Sequence, residues 1–61
     1  MIELLKLDSI DRKLLLHVGQ YDPENLQAVV RDHLMRYQKQ GIQIDEEDLI
    51  EEILKQVNGK A

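Results

Sequence analysis

The side chains that could take part in catalysis or hold a metal ion are few. His17 and His33 fall on the predicted apolar faces of neighbouring helices and can approach each other. Two histidines without an i,i+4 pair or an HExxH arrangement are weak evidence for zinc. A histidine on an apolar face is more often a hydrogen-bonded boundary residue, and a pH-sensitive contact is the other open interpretation. We therefore predict no metal site.

The remaining nucleophiles and acids also form no catalytic constellation. The chain has no cysteine, and its single serine, Ser9, stands where a helix cap is expected. No carboxylate is isolated in an apolar run, where burial would raise its pKa for acid–base work. The sequence therefore predicts no enzyme, with no catalytic residue and no cofactor.

The acidic residues are more informative as a surface. Residues 1–41 contain six Lys or Arg and six Asp or Glu, whereas residues 42–61 contain six acids and two lysines, which gives the whole net charge of -4. This balance disfavours general contact with nucleic-acid phosphates and anionic membranes. It is compatible with a basic protein partner.

Part of this acidic stretch has a structural explanation. Its first four acids lie in a predicted first helical turn, where they complement the helix dipole. Glu51 and Glu52 lie beyond that turn and form like-charge i,i+4 pairs with Glu47 and Asp48, each unfavourable by roughly a few tenths of a kcal/mol. Two interpretations stay open, a solvated face that keeps the protein soluble and a docking surface for a basic partner. In the second, the candidate partner-binding residues are Asp48, Glu51 and Glu52.

Helices must position these residues. Apolar residues recur at helical spacing and predict an all-α single domain over residues 1–61. The predicted helices cover residues 8–18, 22–40 and 45–57. Residues 1–7 are predicted to extend the first helix, and a strand that needs a second chain is the alternative. A buried strand is the alternative for residues 14–18.

The central helix has both ends marked. Asp22 is predicted to cap it, Pro23 fits its first position, and Tyr21 and Leu26 have the spacing of a hydrophobic staple. Gly41 stands where a left-handed residue ends the helix. The predicted buried face consists of Leu26, Val29, Val30, His33, Leu34 and Tyr37.

The two flanking helices each have a predicted buried face. The last helix begins at Asp45, and the first is predicted to end before Gly19. The predicted face of the last helix consists of Leu49, Ile50, Ile53, Leu54 and Val57. That of the first consists of Leu7, Ile10, Leu14, His17 and Val18.

Leu15 and Leu16 lie outside the predicted face of the first helix. A helix with leucines on three sides is rarely exposed on any of them, so it lies between the other two helices or meets another subunit. Ala28 and Met35 lie opposite the buried face of the central helix, as ordinary surface residues or as a contact. We predict a homodimer or a higher closed oligomer. The candidate subunit contacts are Leu15, Leu16, Ala28 and Met35.

The function predicted from these features is protein–protein interaction. The chain is expected to be a small non-enzymatic regulator, adaptor or inhibitor that occupies a partner's surface. The alternative is a small dimeric DNA-binding transcriptional regulator of the helix-turn-helix or ribbon-helix-helix type. The acidic outer face of the last helix argues against the first type, and the single basic residue in residues 1–7 argues against the second.

The composition also bears on location. No apolar run approaches the ~18 residues of a membrane-spanning helix. Asp8 and Asp11 interrupt the apolar start in a way that argues against a signal peptide. We therefore expect a cytoplasmic protein with no membrane partner.

Overall fold

The computed structural model describes residues 2–59, which form an all-α arrangement of four helices. The helices are α1 (Ile2–Leu5), α2 (Ser9–Tyr21), α3 (Leu26–Lys39) and α4 (Glu46–Asn58), and a 3-10 turn (Pro23–Asn25) joins α2 to α3. α2 packs against both α3 and α4, and α1 packs against α4. Residues 2–59 contain no strand. The predicted all-α fold class is therefore confirmed.

The N-terminal residues are helical but do not extend α2. After the single turn of α1, the chain leaves helical geometry and passes through the extended residue Asp8 (φ -62°, ψ 153°). Leu4 and Leu7 both face inward and are buried. The predicted extension of the first helix through residues 1–7 is wrong, although its first residue lies outside the described part. The strand alternative is also wrong for residues 2–5, which are helical.

α2 continues through Gly19 to Tyr21, so its predicted end at Val18 is wrong. Gly19 is buried, and a Cβ atom added to it would lie 2.7 Å from Cγ2 of Ile53 in α4. Because this distance is shorter than a Cβ contact allows, only glycine lets the two helices approach so closely. The glycine that resembles a helix end in the sequence is a contact between helices.

The buried face of α2 differs from the predicted one. Leu15 is 0% exposed in the core, and Leu16 is half-buried against it. Of the predicted face, Leu7 is buried and Val18 half-buried, whereas Ile10, Leu14 and His17 are exposed. Leu15 is enclosed by its own chain, so the prediction that it contacts another subunit is wrong. Residues 14–18 are helical, so the buried-strand alternative is wrong as well.

α3 buries the face that its periodicity predicts. Its buried residues are Leu26, Val30, His33 and Tyr37, with Val29 and Leu34 half-buried. Gly41 has a φ of 83°, which confirms the predicted left-handed residue. The N–H groups of Gly41 and Ile42 donate to the carbonyls of Gln38 and Tyr37, each at 3.0 Å, in the pattern of a Schellman cap.

The start of α3 differs from the prediction. Pro23 opens the 3-10 turn rather than the α-helix, and the Asp22 carboxylate accepts a hydrogen bond from Asn25 Nδ2 at 2.7 Å instead of from a backbone N–H. Tyr21 is exposed, so it forms no staple with the buried Leu26. The predicted cap at Asp22 is therefore wrong, because its carboxylate accepts no backbone N–H of the turn that follows.

α4 begins as predicted. The Asp45 carboxylate accepts the Asp48 N–H at 2.9 Å and so caps the helix. Leu49 and Ile53 are fully buried and meet Leu15 of α2 in the core. The other members of the predicted face lie at its edges, with Ile50 and Val57 half-buried and Leu54 exposed.

We predict that Gly19→Ala destabilises the protein. In an exposed helix the same change stabilises by about 1 kcal/mol, because alanine has the higher helix propensity. Here the new methyl group overlaps Ile53, and overpacking of this kind costs about 1–3 kcal/mol. Urea denaturation of the two proteins measures the difference in the free energy of unfolding.

The Ile53→Leu background is the control for this substitution. Leucine has no Cγ2 atom, so the cost of Gly19→Ala should be smaller there than in the parent. A rise in the urea midpoint on Gly19→Ala in the parent would contradict the close contact between α2 and α4.

Candidate interaction surface

Four residues form an exposed line along α2, here called the α2 stripe: Ile10, Leu14, His17 and Tyr21. Their spacing of i, i+4, i+7 and i+11 puts them on one face over roughly 16 Å of helix. Ile10 is 79% exposed, Leu14 45% and Tyr21 68%, and His17 is exposed as well. The rings of His17 and Tyr21 contact each other, with centroids 4.6 Å apart.

The composition of the α2 stripe suits binding rather than chemistry. Single exposed apolar residues are ordinary, whereas a contiguous exposed apolar surface marks an interaction site. Tyr21 and His17 each combine an apolar ring with a polar atom, and tyrosine is enriched where proteins meet. The stripe contains no carboxylate and no hydroxyl other than the phenol of Tyr21. It therefore offers mainly apolar contact area.

A polar cluster beneath α2 fixes the rotation that turns the α2 stripe outward. The Tyr37 hydroxyl of α3 donates to Asp11 Oδ2 at 2.7 Å and accepts the Asp8 N–H at 2.8 Å. Tyr37 is buried, and this burial is the largest cause that raises the pKa of its hydroxyl above 10.0. Asp11 follows Ile10 directly, so the side chain of Ile10 lies about 100° away around the helix and faces solvent.

His33 belongs to the same cluster. It is 3% exposed, with Nδ1 at 2.9 Å from the Val29 carbonyl oxygen and Nε2 at 3.6 Å from Asp11 Oδ1. His17, on the α2 stripe, is exposed, so the two histidines have different surroundings. Within residues 2–59, no group of three or more His, Cys, Asp or Glu side chains is placed to hold a metal ion.

Glu52 has an internal role that the sequence did not reveal. Its carboxylate accepts the N–H of Glu3 at 3.2 Å and that of Leu4 at 3.1 Å, and it thereby caps α1. Burial acts to raise the pKa of the Glu52 carboxyl, but the amide donors lower it, and the pKa lies below 4.5. In the other direction, Glu3 Oε2 accepts the Asp45 N–H at 2.7 Å at the start of α4. The two carboxylates thus join α1 and α4 reciprocally.

The predicted partner-binding residues of α4 occupy two different environments. Asp48 and Glu51 are exposed, whereas Glu52 is half-buried and caps α1. The Asp45 carboxylate is the largest cause that raises the pKa of Asp48. Glu51 pairs with Lys55 at 3.2 Å. The outward acidic face therefore includes Asp48 and Glu51, and Glu52 is turned towards α1.

An open groove of about 480 Å³ lies between α3 and α4 beside this acidic face. Ile50 and Leu54 contribute apolar surface to its lining, and Glu51 stands at its edge. Arg31 of α3 pairs with Glu46 of α4 at 3.0 Å across the same groove. Two ion pairs, Arg31–Glu46 and Lys55–Glu51, therefore lie among the lining residues of the groove.

The remaining candidate subunit contacts lie on the outside of α3. Ala28 is exposed and Met35 is 62% exposed. Both are available for contact, and their role stays a prediction, as does that of the half-buried Leu16. Sequence reasoning missed the α2 stripe because it placed Ile10 and Leu14 in the core.

No family model matches this chain, and neither a curated protein nor a solved structure matches it. Among residues 2–59, none of the helices combines the length and the apolar content of a membrane span.

We predict that Glu52→Gln lowers the free energy of unfolding by about 1–2 kcal/mol, because amide donors bond more strongly to a charged carboxylate than to a neutral amide. Glu51→Gln is the matched control, since it makes the same change at an exposed neighbour. It should alter stability by less than about 0.5 kcal/mol. Urea denaturation of both variants measures the difference.

The same pair of variants tests the pH dependence. The pKa of Glu52 is lowered on folding, so its contribution is present above pH 4.5 and is lost as the pH falls through the folded pKa. Acidification should therefore narrow the stability gap between Glu52→Gln and the parent. A gap that is absent at neutral pH would contradict the cap on α1.

We predict that Tyr37→Phe lowers the free energy of unfolding by about 1–2 kcal/mol, because the Asp8 N–H and the Asp11 carboxylate lose their partner. The raised pKa of Tyr37 means that the fold favours the neutral phenol, so this contribution is present below pH 10.0 and is lost as the pH rises through the folded pKa. Urea midpoints from neutral to strongly alkaline pH should fall more for the parent than for Tyr37→Phe. Equal stability at neutral pH would show that the hydroxyl does not hold α2.

Proposed function

We propose that this protein is a non-enzymatic protein–protein interaction module, a regulator, adaptor or inhibitor, that docks through the α2 stripe. The observation that supports the proposal is the exposure of Ile10, Leu14 and Tyr21 on one face of a helix whose opposite face is fixed in the core. Since the stripe has no role in the core of its own chain, its apolar character needs another explanation. Contact with a second protein supplies one.

Burial of the α2 stripe contributes enough free energy for a specific contact with another protein. Full burial of a side chain of this size contributes about 1.5–3 kcal/mol, and aromatic residues such as Tyr21 are frequent binding hot spots. Association also costs rotational, translational and side-chain freedom, so three or four such residues favour a moderate affinity. The half-buried and polar residues around the stripe then act as the rim that excludes water.

The acidic face of α4 has a different proposed role from that of the α2 stripe. Asp48 and Glu51 are exposed and belong to the helix that carries the whole net negative charge of the sequence. Charges of this kind mainly steer association, so they favour a basic protein partner and act on its on-rate. Asp48→Asn with Glu51→Gln should slow binding of such a partner and flatten its salt dependence, and Glu52 is left unchanged because it caps α1.

Site-specific photo-cross-linking tests the docking surface. A benzophenone amino acid replaces Leu14 in the α2 stripe, and the matched control carries it at Lys39, which is exposed on α3. Illumination in the source cell should give a discrete cross-linked protein band from position 14 and none from position 39. Mass spectrometry identifies the band, which is either another protein or a second copy of this chain.

The stripe variants Ile10→Ser and Tyr21→Ser make the test specific. Both residues are exposed, so the variants should keep the circular-dichroism spectrum of the parent. Each should reduce the cross-linked band in a chain that carries the probe at position 14. Equal cross-linking from positions 14 and 39, or no loss in the stripe variants, would contradict docking through the α2 stripe.

A further inference from the structure

We infer that the occupant of the α2 stripe is the α2 stripe of a second copy of this chain, packed antiparallel across a two-fold axis. This inference rests on the proposed function, because it names the partner of the same surface. In this dimer the contact is made by exposed residues of α2 and not by Leu15, which is buried. The observations behind it are the symmetry of the stripe and the distribution of charge along it.

The spacing of the α2 stripe is symmetric about its centre. Ile10 and Tyr21 are equally far from the midpoint between Leu15 and Leu16, and Leu14 and His17 are also equally far from it. A two-fold axis at that midpoint brings Ile10 opposite Tyr21 of the second copy, and Leu14 opposite His17 of the second copy. Every apolar residue of one stripe then faces one of the other, as an isologous contact requires.

The sizes of the paired residues are also complementary. An antiparallel pair places an aliphatic side chain against an aromatic ring at each end and against an imidazole near the centre. A parallel pair would place Ile10 against Ile10 and Tyr21 against Tyr21, and would leave one end wider than the other. Antiparallel packing therefore keeps the distance between the helices even along the contact.

The charges beside the stripe favour the same direction. Lys13 is exposed on the flank of the α2 stripe, in the first half of α2. Asp22 and Glu24 follow directly after Tyr21 at the other end. Antiparallel packing brings Lys13 of one copy towards the acidic end of the other.

A parallel pair would bring charged residues of the two copies together in a different way. A parallel pair would set the carboxylates of Asp22 and Glu24 against those of the second copy, and like charges in contact are unfavourable. The second copy thus satisfies both the apolar and the charged features of the surface.

Sedimentation equilibrium over a micromolar concentration series is the first test. The parent should be a monomer–dimer system, and Ile10→Ser and Tyr21→Ser should each raise the dimer dissociation constant about tenfold or more. Met35→Ser, on the outside of α3, is the comparison and should leave the constant unchanged. Circular dichroism confirms that each variant is folded.

Cross-linking tests the direction of the pair. The chain has no cysteine, so Lys13→Cys and Gln20→Cys each introduce a unique thiol on the same exposed flank of α2. In antiparallel register, position 13 of one copy lies about 3 Å along the axis from position 20 of the other, against about 10 Å in parallel register. A short bis-maleimide should therefore join the two variants in a mixture faster than it joins either variant to itself.

The outcomes separate this inference from the proposed function. A parent that stays monomeric, a dimer that Met35→Ser dissociates and the stripe variants do not, or self-cross-links that form faster than mixed ones would each overturn the antiparallel pair. If the parent is monomeric while position 14 cross-links to a different protein, the docking function stands and the second copy is wrong. If position 14 gives no cross-link either, both fail.

Discussion

The Tyr37 hydroxyl is the contact on which the arrangement of the other helices depends. It accepts the N–H of Asp8, where α2 starts, and it donates to Asp11 one turn further on. A single buried phenol therefore fixes both the position and the rotation of α2 against α3. Because the side chain of Tyr37 also belongs to the apolar core, the polar contact and the burial of leucines cannot be satisfied independently. Once Asp11 faces α3, Leu15 and Gly19 face inward and the α2 stripe faces outward.

A second constraint acts between α1 and α4, where carboxylates take the place of the covalent links that small domains often need. Glu52 of α4 binds the amides at the start of α1, and Glu3 of α1 binds the amide of Asp45 at the start of α4. Each acid thus compensates N–H groups that have no partner within their own helix. The one-turn helix α1 would be too short to persist alone. Its stability comes from these contacts and from the burial of Leu4 and Leu7.

The sequence was sufficient for features that depend on neighbours in the chain. The buried face of α3, the cap at Asp45 and the left-handed Gly41 all follow from local spacing and backbone preference, and all three are confirmed. The face of α2 was not predictable in this way, because leucines surround that helix and periodicity alone cannot choose among them. The choice is made by Tyr37 and Ile53, which are remote in sequence. The candidate partner-binding residues were predictable only in part, for the same reason. The amides that Glu52 binds lie in α1, which is remote from it in sequence.

The close contact at Gly19 has a consequence for how the surface can diverge. The side of α2 that meets α4 tolerates almost no change, because even a methyl group at position 19 would overlap Ile53. The opposite side is exposed and lies outside the core of its own chain, so substitutions at Ile10, Leu14 and Tyr21 leave that core intact. Drift in related chains would therefore accumulate on one side of a single helix while the scaffold stays fixed. Such a helix can acquire new binding preferences, by selection or in a randomised library, at little risk to folding.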